Sequence, residues 1–540
     1  MFIKITKSGK YEYAQIVKSY RKDGRTKHKV ILNLGRVDHI EDNPSFKNLA
    51  LKLEELARVK NRVNLDDFSE GKVLNWGHVV YRKLWQQLGI DNIIAEIQSK
   101  RSIEFNLNDS CFLMALQHLL DPKSKLGTFN NQANYLQLPY VDFNHFYRSL
   151  DILAEHKETL EEALFLQNRD LLNMKVDVVF FDVTTFHFES VRADDLKDFG
   201  FSKDGKFNEV QVVLALMVDT EGRPIGYELF PGNLFETKTL ERCREKLEAR
   251  FGINQVIIVA DKGINSKLNL KRIDKREYGY IVASRIKNTS ESMQAKILDP
   301  QEFSSIDANE DTISYKIIEH TRTIKENGET YTIPENLIIT HSDKRAQKDK
   351  KDRERLLEKA KSLLGDQGKI KASNKKGGKK YLKETGTSSY ILDEEAITRD
   401  AKFDGYYGIQ TNRKDYDPQK VLEAYHTLWK IEESFRIMKS TLEVRPVFHW
   451  TESRIKGHFV MCFIAFLLER TLELKLKNSN IEASPEKIRE ALNAMTFTEV
   501  DIDDSTYYIK NKGTDLSNKI ARVMKIKPPK NITTEEELKL

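Results

Sequence analysis

Apolar and polar positions alternate through the first 36 residues: Phe2, Ile3 and Ile5, then Tyr11, Tyr13, Ile16 and Val17, then Val30, Ile31 and Leu32. A period of two predicts strands. The turn signal Lys22-Asp23-Gly24-Arg25 lies between two of these runs, so residues 1–40 are predicted to be a small β-hairpin module. From Pro44 the period lengthens. Leu49, Leu53 and Leu56 stand at i, i+4 and i+7. Val79, Leu84, Leu88 and Ile90 continue the pattern, followed by Phe112, Leu116 and Leu119, and then Leu150, Leu153, Leu160 and Leu164. This spacing predicts a helical domain over 41–172, suited to DNA binding and able to hold a helix-turn-helix.

At Val176 the texture changes again. Val176 to Asp182 reads as a strand, Val210 to Val218 as a second, and Asp219-Thr220-Glu221-Gly222 as a tight turn into a third, Ile225 to Phe230. A helical stretch, Thr239 to Arg250, precedes the apolar run Val256 to Ala260 and a fifth strand, Tyr280 to Ser284. Three antiparallel strands, a helix and then buried strands is the order of a ribonuclease-H-like α/β core. Its first part is placed at 173–286. Residues 287–404 interrupt it with short alternating runs, a charged helix from Asp343 to Leu364 and a Lys/Gly-rich loop, a β-rich basic insertion. The second part of the core is placed at 405–475, and a C-terminal helical region and tail at 476–540.

Composition sharpens this picture. The chain has 540 residues, 39% of them hydrophobic and 31% charged, which excludes wholesale disorder and a disulfide-stapled miniprotein. Three scattered cysteines, Cys111, Cys243 and Cys462, give neither a disulfide framework nor a metal knuckle and point to a reducing cytoplasm. The longest apolar run, Phe459 to Leu468, is about half the ~20 residues a membrane helix needs, so no membrane is expected as a partner. The net charge is only +6, but it is unevenly spread. Residues 1–36 carry ten Lys/Arg against two acids, and 341–384 carry sixteen against seven. Two basic blocks on an otherwise acidic chain point to a polyanion, most often nucleic acid.

Two apolar runs each end in an aspartate: Phe180-Phe181-Asp182 and Val259-Ala260-Asp261. A carboxylate at the end of a buried strand stands where α/β folds place their chemistry, and two on neighbouring strands can share Mg²⁺. An aspartate there also starts turns. Glu432 is the candidate for a third carboxylate. Tyr425, Glu432 and Lys439 are seven residues apart each way, which on one continuous helix sets them within about 20° of one face. An ordinary surface stripe gives the same spacing.

Taken together, these residues resemble the bacterial insertion-sequence DDE transposases with a Tyr-Arg-Glu-Lys signature, the fourth insertion-sequence group, in its branch with a long Asp-to-Glu insertion. The similarity rests on Phe181-Asp182-Val183-Thr184-Thr185, Pro231-Gly232-Asn233, Val259-Ala260-Asp261-Lys262-Gly263, Tyr425 through Lys439, and Arg445-Pro446-Val447-Phe448-His449-Trp450. Where the signature has its arginine this sequence has Leu428, and Arg436 stands one turn after Glu432. The resemblance implies that Asp182, Asp261 and Glu432 are catalytic and hold two Mg²⁺ ions, with Mn²⁺ as a substitute. It implies that Tyr425, Lys439, Arg436 and Lys262 contact DNA. The implied activity is cut-and-paste transposition: binding of terminal inverted repeats, hydrolytic cutting, and joining of 3′-OH ends to target DNA by a dimer assembled on double-stranded DNA. Two alternatives stand beside it: a ribonuclease-H-like metal-dependent nuclease, and a catalytically inactive, transposase-derived DNA-binding protein.

Overall fold

The computed structural model describes residues 1–22, 25–41, 43–56, 71–171, 178–188, 192–199, 209–233, 243, 251, 257–260, 265–308, 311–364, 377–385, 389–426, 429–443, 447, 449–502 and 505–538. The chain divides into two compact units. One comprises 1–72, 499–508 and 533–536; the other comprises 73–498, 509–532 and 537–540.

In the first unit, strands β1 (Phe2–Ser8), β2 (Tyr11–Lys22) and β3 (Arg25–Arg36) form an antiparallel sheet in that order, followed by helices α1 (Val37–Glu41) and α2 (Pro44–Leu56). The hairpin expected from the alternation is β2–β3. A third strand joins it because Gly9, at φ +63°, turns the chain between β1 and β2. An L-residue adopts that conformation only under strain, and the Cβ-free glycine does not. Ala14 and Val17 form the buried side of β2, paired with Ile5 and Phe2.

The second unit opens with β4 (Val73–Asn75), paired antiparallel with Thr496–Thr498, and then six helices: α3 (His78–Gln87), α4 (Ile90–Ser99), α5 (Leu107–Leu120), α6 (Lys125–Asn131), α7 (Phe143–Glu155) and α8 (Lys157–Leu171). The Asn106 side chain caps α5 by accepting from Asp109 N–H, and Asp142 caps α7 by accepting from Asn144 N–H. Each such cap contributes about 1 kcal/mol. Helix α5 is largely apolar and is buried along most of its length, with Asn108 and Asp109 half-buried at its start.

Nine strands form one sheet among the described residues. Its central part is β5 (Val178–His187), β6 (Gln211–Val218), β7 (Pro224–Pro231), β8 (Ile257–Ala260) and β9 (Gly279–Ala283). Strands β5, β6 and β7 are antiparallel, and β5, β8 and β9 are parallel. This is the order the hydrophobic pattern predicts. The helical stretch expected at 239–250 lies almost wholly outside the described residues. Helix α9 (Lys267–Asp274) leads from β8 toward β9 and contributes Leu270 and Ile273 to the core on one face of the sheet, with Val183, Ile258, Tyr280 and Val282.

The insertion does not stand apart from the core as its position in sequence suggests. After α10 (Glu291–Leu298) come β10 (Ser304–Ala308), β11 (Asp311–Glu326) and β12 (Glu329–His341), then α11 (Asp343–Leu363), the small hairpin β13 (Leu382–Thr385) and β14 (Ser389–Leu392), α12 (Glu394–Ala401) and β15 (Tyr406–Thr411). The sheet order is β10-β11-β12-β15-β9-β8-β5-β6-β7. The insertion's strands thus extend the core sheet through β15, which pairs antiparallel with both β9 and β12. Buried Glu335 on β12 fastens the junction. It accepts from Tyr280 Oη on β9, from Arg322 Nε at 2.8 Å on β11 and from Gln410 Nε2 at 3.2 Å on β15. A buried carboxylate needs such partners, because leaving it unpaired costs several kcal/mol.

Helices α13 (Pro418–His426), α14 (Trp429–Arg436) and α15 (Glu452–Lys477) follow β15. The 26-residue α15 is mostly buried and packs against α3, α5, α7 and β7, so it joins the helical part to the sheet. No helix among the described residues is long and apolar enough to cross a membrane.

Candidate active site

The apolar run ending at Asp182 does not end the strand. Strand β5 continues to His187, because antiparallel pairing with β6 carries it there, and Asp182 stands in mid-strand opposite Leu216. What ends near Asp182 is the parallel pairing. Its partners run from Val178↔Ile257 to Phe180↔Val259, and β8 stops at Ala260. Position 182 therefore lies where β5 loses its parallel neighbour, at the carboxyl end of β8. Ligand crevices of α/β sheets form at such ends. Asp261 and Lys262 lie outside the described residues.

Strand alternation distinguishes the two faces of β5. Val179 and Val183 belong to the core cluster on one face. Position 182 has the parity of Thr184 and Phe186, and Phe186 meets Phe459 of α15 edge-on at 5.3 Å between ring centroids. Helix α14 packs against β5. Just beyond it, residues 437–441 form a π-helical turn, and from that turn the Lys439 ammonium reaches to 5.8 Å from the Phe186 ring centroid. π-Turns inside helices are frequent at functional sites.

Among the described residues nothing pairs with Glu432 on α14, which is exposed. Its neighbour Glu433 is occupied. Arg470 of α15 approaches Glu433 Oε2 at 3.3 Å and Glu473 Oε2 at 2.7 Å through Nη1, and Arg436 lies 3.5 Å from Glu433. Arg470 Nε also donates to Gly222 O at 3.3 Å. Gly222, at φ +80° in the β6–β7 turn, leaves room for that guanidinium, since a Cβ there would stand 2.5 Å from Nη2. Arg436 is exposed.

Tyr425 stands on α13, where its hydroxyl lies 2.6 Å from the Tyr407 hydroxyl of β15, and Lys439 falls in the wider π-turn, out of strict α-helical register with Glu432. Residues 427 and 428, Leu428 among them, lie outside the described residues. The Pro231-Gly232-Asn233 motif has a packing reason. A Cβ on Gly232 would stand 2.2 Å from Gln211 O and 2.3 Å from Asp198 O, and Asn233 Nδ2 donates to Asp198 Oδ2 at 2.5 Å. His187, at the end of β5, lies 3.8 Å from Glu209.

Sequence reasoning missed the ionic and polar groups buried in α15. Glu469 accepts from Tyr81 Oη at 2.5 Å, and burial followed by the Glu473 charge pushes its carboxyl up to about 8. A second buried group joins His118 of α5 to His458 and Cys462 of α15. Burial pulls His118 and His449 down to about 3, so both rings are neutral. The His458/Cys462 spacing of i, i+4 was visible in the sequence, whereas its meeting with His118 depended on the fold.

With this geometry in place, comparison with known proteins is decisive. Residues 174–468, more than half of the chain, match the transposase DDE domain. The chain belongs to the DDE-domain transposases. Residues 3–64 match the N-terminal domain of IS1634 family transposases, which accounts for the basic β-module and α2. The transposase is thus a mixed α/β protein with a ribonuclease-H-like DDE domain, and transposases with this domain generally use divalent metal ions. Among the solved structures that match are the Mos1 transposase paired-end complex with left transposon end and a pre-cleavage Mos1 transpososome. Each is 12% identical over 33% of this chain, with a TM-score of 0.15. The transposase spans 60% of the length of those Mos1 chains. No curated protein matches it.

Proposed function

We propose that this transposase is of the Tyr-(Arg)-Glu-Lys signature group with a long insertion before the glutamate helix. It binds the terminal inverted repeats of an insertion sequence, cuts at their ends and joins the 3′-OH ends to target DNA. Asp182, Asp261 and Glu432 form its carboxylate triad. One observation carries the triad: the parallel register of β5 and β8 is offset by 259 − 180 = 79 residues, and 261 − 182 = 79 as well. The two aspartates are thus separated in sequence by the same interval as the paired positions of the two central strands. The third carboxylate, Glu432, is exposed and uncommitted on the helix packed against β5, while Arg470 occupies Glu433.

Three carboxylates are hard oxygen donors and fit Mg²⁺, with Mn²⁺ as its substitute. Two such ions, held by Asp182, Asp261 and Glu432, would lower the pKa of an attacking water and neutralise charge on the leaving oxygen. The chain's own residues supply position. Lys439, held over β5, Arg436 and Tyr425 meet phosphates beside the cut, together with Lys262. No covalent enzyme–DNA bond is needed, since the freed 3′-hydroxyl is itself the next nucleophile. Cutting two ends in concert takes two protomers on DNA.

Distant phosphates fall to the basic blocks. On α11, Lys344, Lys348, Lys351 and Arg355 follow i, i+4, i+7, i+11 spacing and are all exposed, a cationic stripe along one helix face.

The test is Mg²⁺-dependent cleavage of DNA carrying the element's own ends, followed by strand transfer to a plasmid. Asp182→Asn, Asp261→Asn and Glu432→Gln each abolish cleavage and leave end binding intact. Cleavage that persists in any one of them removes that residue from the triad. Nicking without end preference or joining replaces the transposase reading with that of a simple nuclease.

A further inference from the structure

We infer that His118, His458 and Cys462 form a structural site for a zinc-class transition-metal ion, inside the helical part and apart from the carboxylates. Their ligand atoms all lie within 4.8 Å of one another, and all three residues are buried. Cys462 Sγ and His458 Nε2 are 3.6 Å apart. With Zn–S near 2.3 Å and Zn–N near 2.0–2.1 Å, a tetrahedral ion spaces S and N ligands about 3.5 Å apart, so this edge already has its length. Rotations that move an atom by about 1 Å close the rest.

The orientation of His118 is the second observation. Its Nδ1 lies 2.9 Å from Leu442 O, a contact that sets the N–H on Nδ1 and the lone pair on Nε2. Nε2 is buried and has no hydrogen-bond partner. A buried acceptor left unpaired costs about 1–3 kcal/mol, so its retention calls for an occupant. Metal-bound histidines typically donate the other ring nitrogen to a backbone carbonyl in this way. The donor set of two imidazoles and a thiol suits Zn²⁺ and not Mg²⁺. On binding, the sulfur–metal bond forms and the thiol proton passes to solvent.

The site ties α5 to α15. Through Leu442, which caps the π-turn at 437–441, it also anchors the segment that follows the Glu432 helix. It does not depend on the proposed reaction.

The test uses the full chain with Co²⁺ and Zn²⁺ as probes. Stripped protein titrated with Co²⁺ develops a thiolate-to-cobalt charge-transfer band at one equivalent, which Zn²⁺ displaces and Mg²⁺ does not. The band is lost in Cys462→Ser and retained in Cys111→Ser. His118→Gln weakens Co²⁺ affinity at least tenfold. Zn²⁺ raises the wild-type Tm by several degrees. Absence of a thiolate band in the wild-type chain overturns the site without recourse to any variant, as does a band unchanged in a folded Cys462→Ser protein.

Discussion

Arg470 takes hold of Glu433 and leaves Glu432 open to solvent on the same helix. Two adjacent glutamates are thereby given different work. Glu432→Gln is expected to eliminate end cleavage with no more than about 0.5 kcal/mol change in stability, as for an exposed substitution. Glu433→Gln is expected to keep most of the cleavage rate and cost about 1–3 kcal/mol, because Arg470 loses part of its charge compensation in a buried setting. Parallel cleavage assays and urea melts decide it. If the two phenotypes are exchanged, Glu433 takes Glu432's place in the triad.

Stability is expected to fall with alkaline pH through Glu469. Its carboxyl stands at about 8 in the folded chain against an ordinary 4.5. The folded state therefore keeps a proton that the unfolded state releases between those values. The contribution is complete below pH 4.5 and is lost as pH rises through 8. Its size is on the order of a few kcal/mol. Thermal melts from pH 5 to 9 should show a declining Tm, and Glu469→Gln should flatten the decline.

Gly232→Ala is expected to destabilise by about 3 kcal/mol, because its Cβ meets two backbone carbonyls that cannot turn aside. Gly9→Ala has open space around it and only its positive φ to overcome, so about 1 kcal/mol is expected. Urea midpoints at unchanged m-value separate the two.

Neutralising the α11 stripe with Lys344→Gln, Lys348→Gln, Lys351→Gln and Arg355→Gln should weaken end binding at low salt. It should also lower the slope of log K against log salt by up to about 4 × 0.9. Binding measured by fluorescence anisotropy across a salt series tests this, and an unchanged slope would separate the stripe from DNA.

Much of the core was legible because strands buried on both faces leave uninterrupted apolar runs, as at 212–218 and 257–259. The 79-residue separation of Asp182 and Asp261 equals the offset between paired positions of β5 and β8. Other features were beyond local pattern. The run ending at Asp182 looked like the end of a strand, since nothing in it reports that β6 would extend β5 to His187. Equal spacing of Tyr425, Glu432 and Lys439 assumed one straight helix, and the backbone widening at 437–441 has no side-chain signature. Glu335, Arg470 and His118 have partners far away in sequence: Arg322 lies 13 positions from Glu335, Gly222 lies 248 from Arg470, and Leu442 lies 324 from His118.

The continuous sheet has a mechanical corollary. Strand β15 follows the insertion directly and immediately precedes the helices that bear Tyr425 and Glu432, and it is laced by main-chain bonds to β9 on one side and β12 on the other. A load applied to the β11–β12 hairpin by a bent duplex would travel across rungs of the ladder rather than along a slack tether. A gene trimmed of residues 287–404 would leave one flank of β15 bare, a raw border in the platform beneath the glutamate helix.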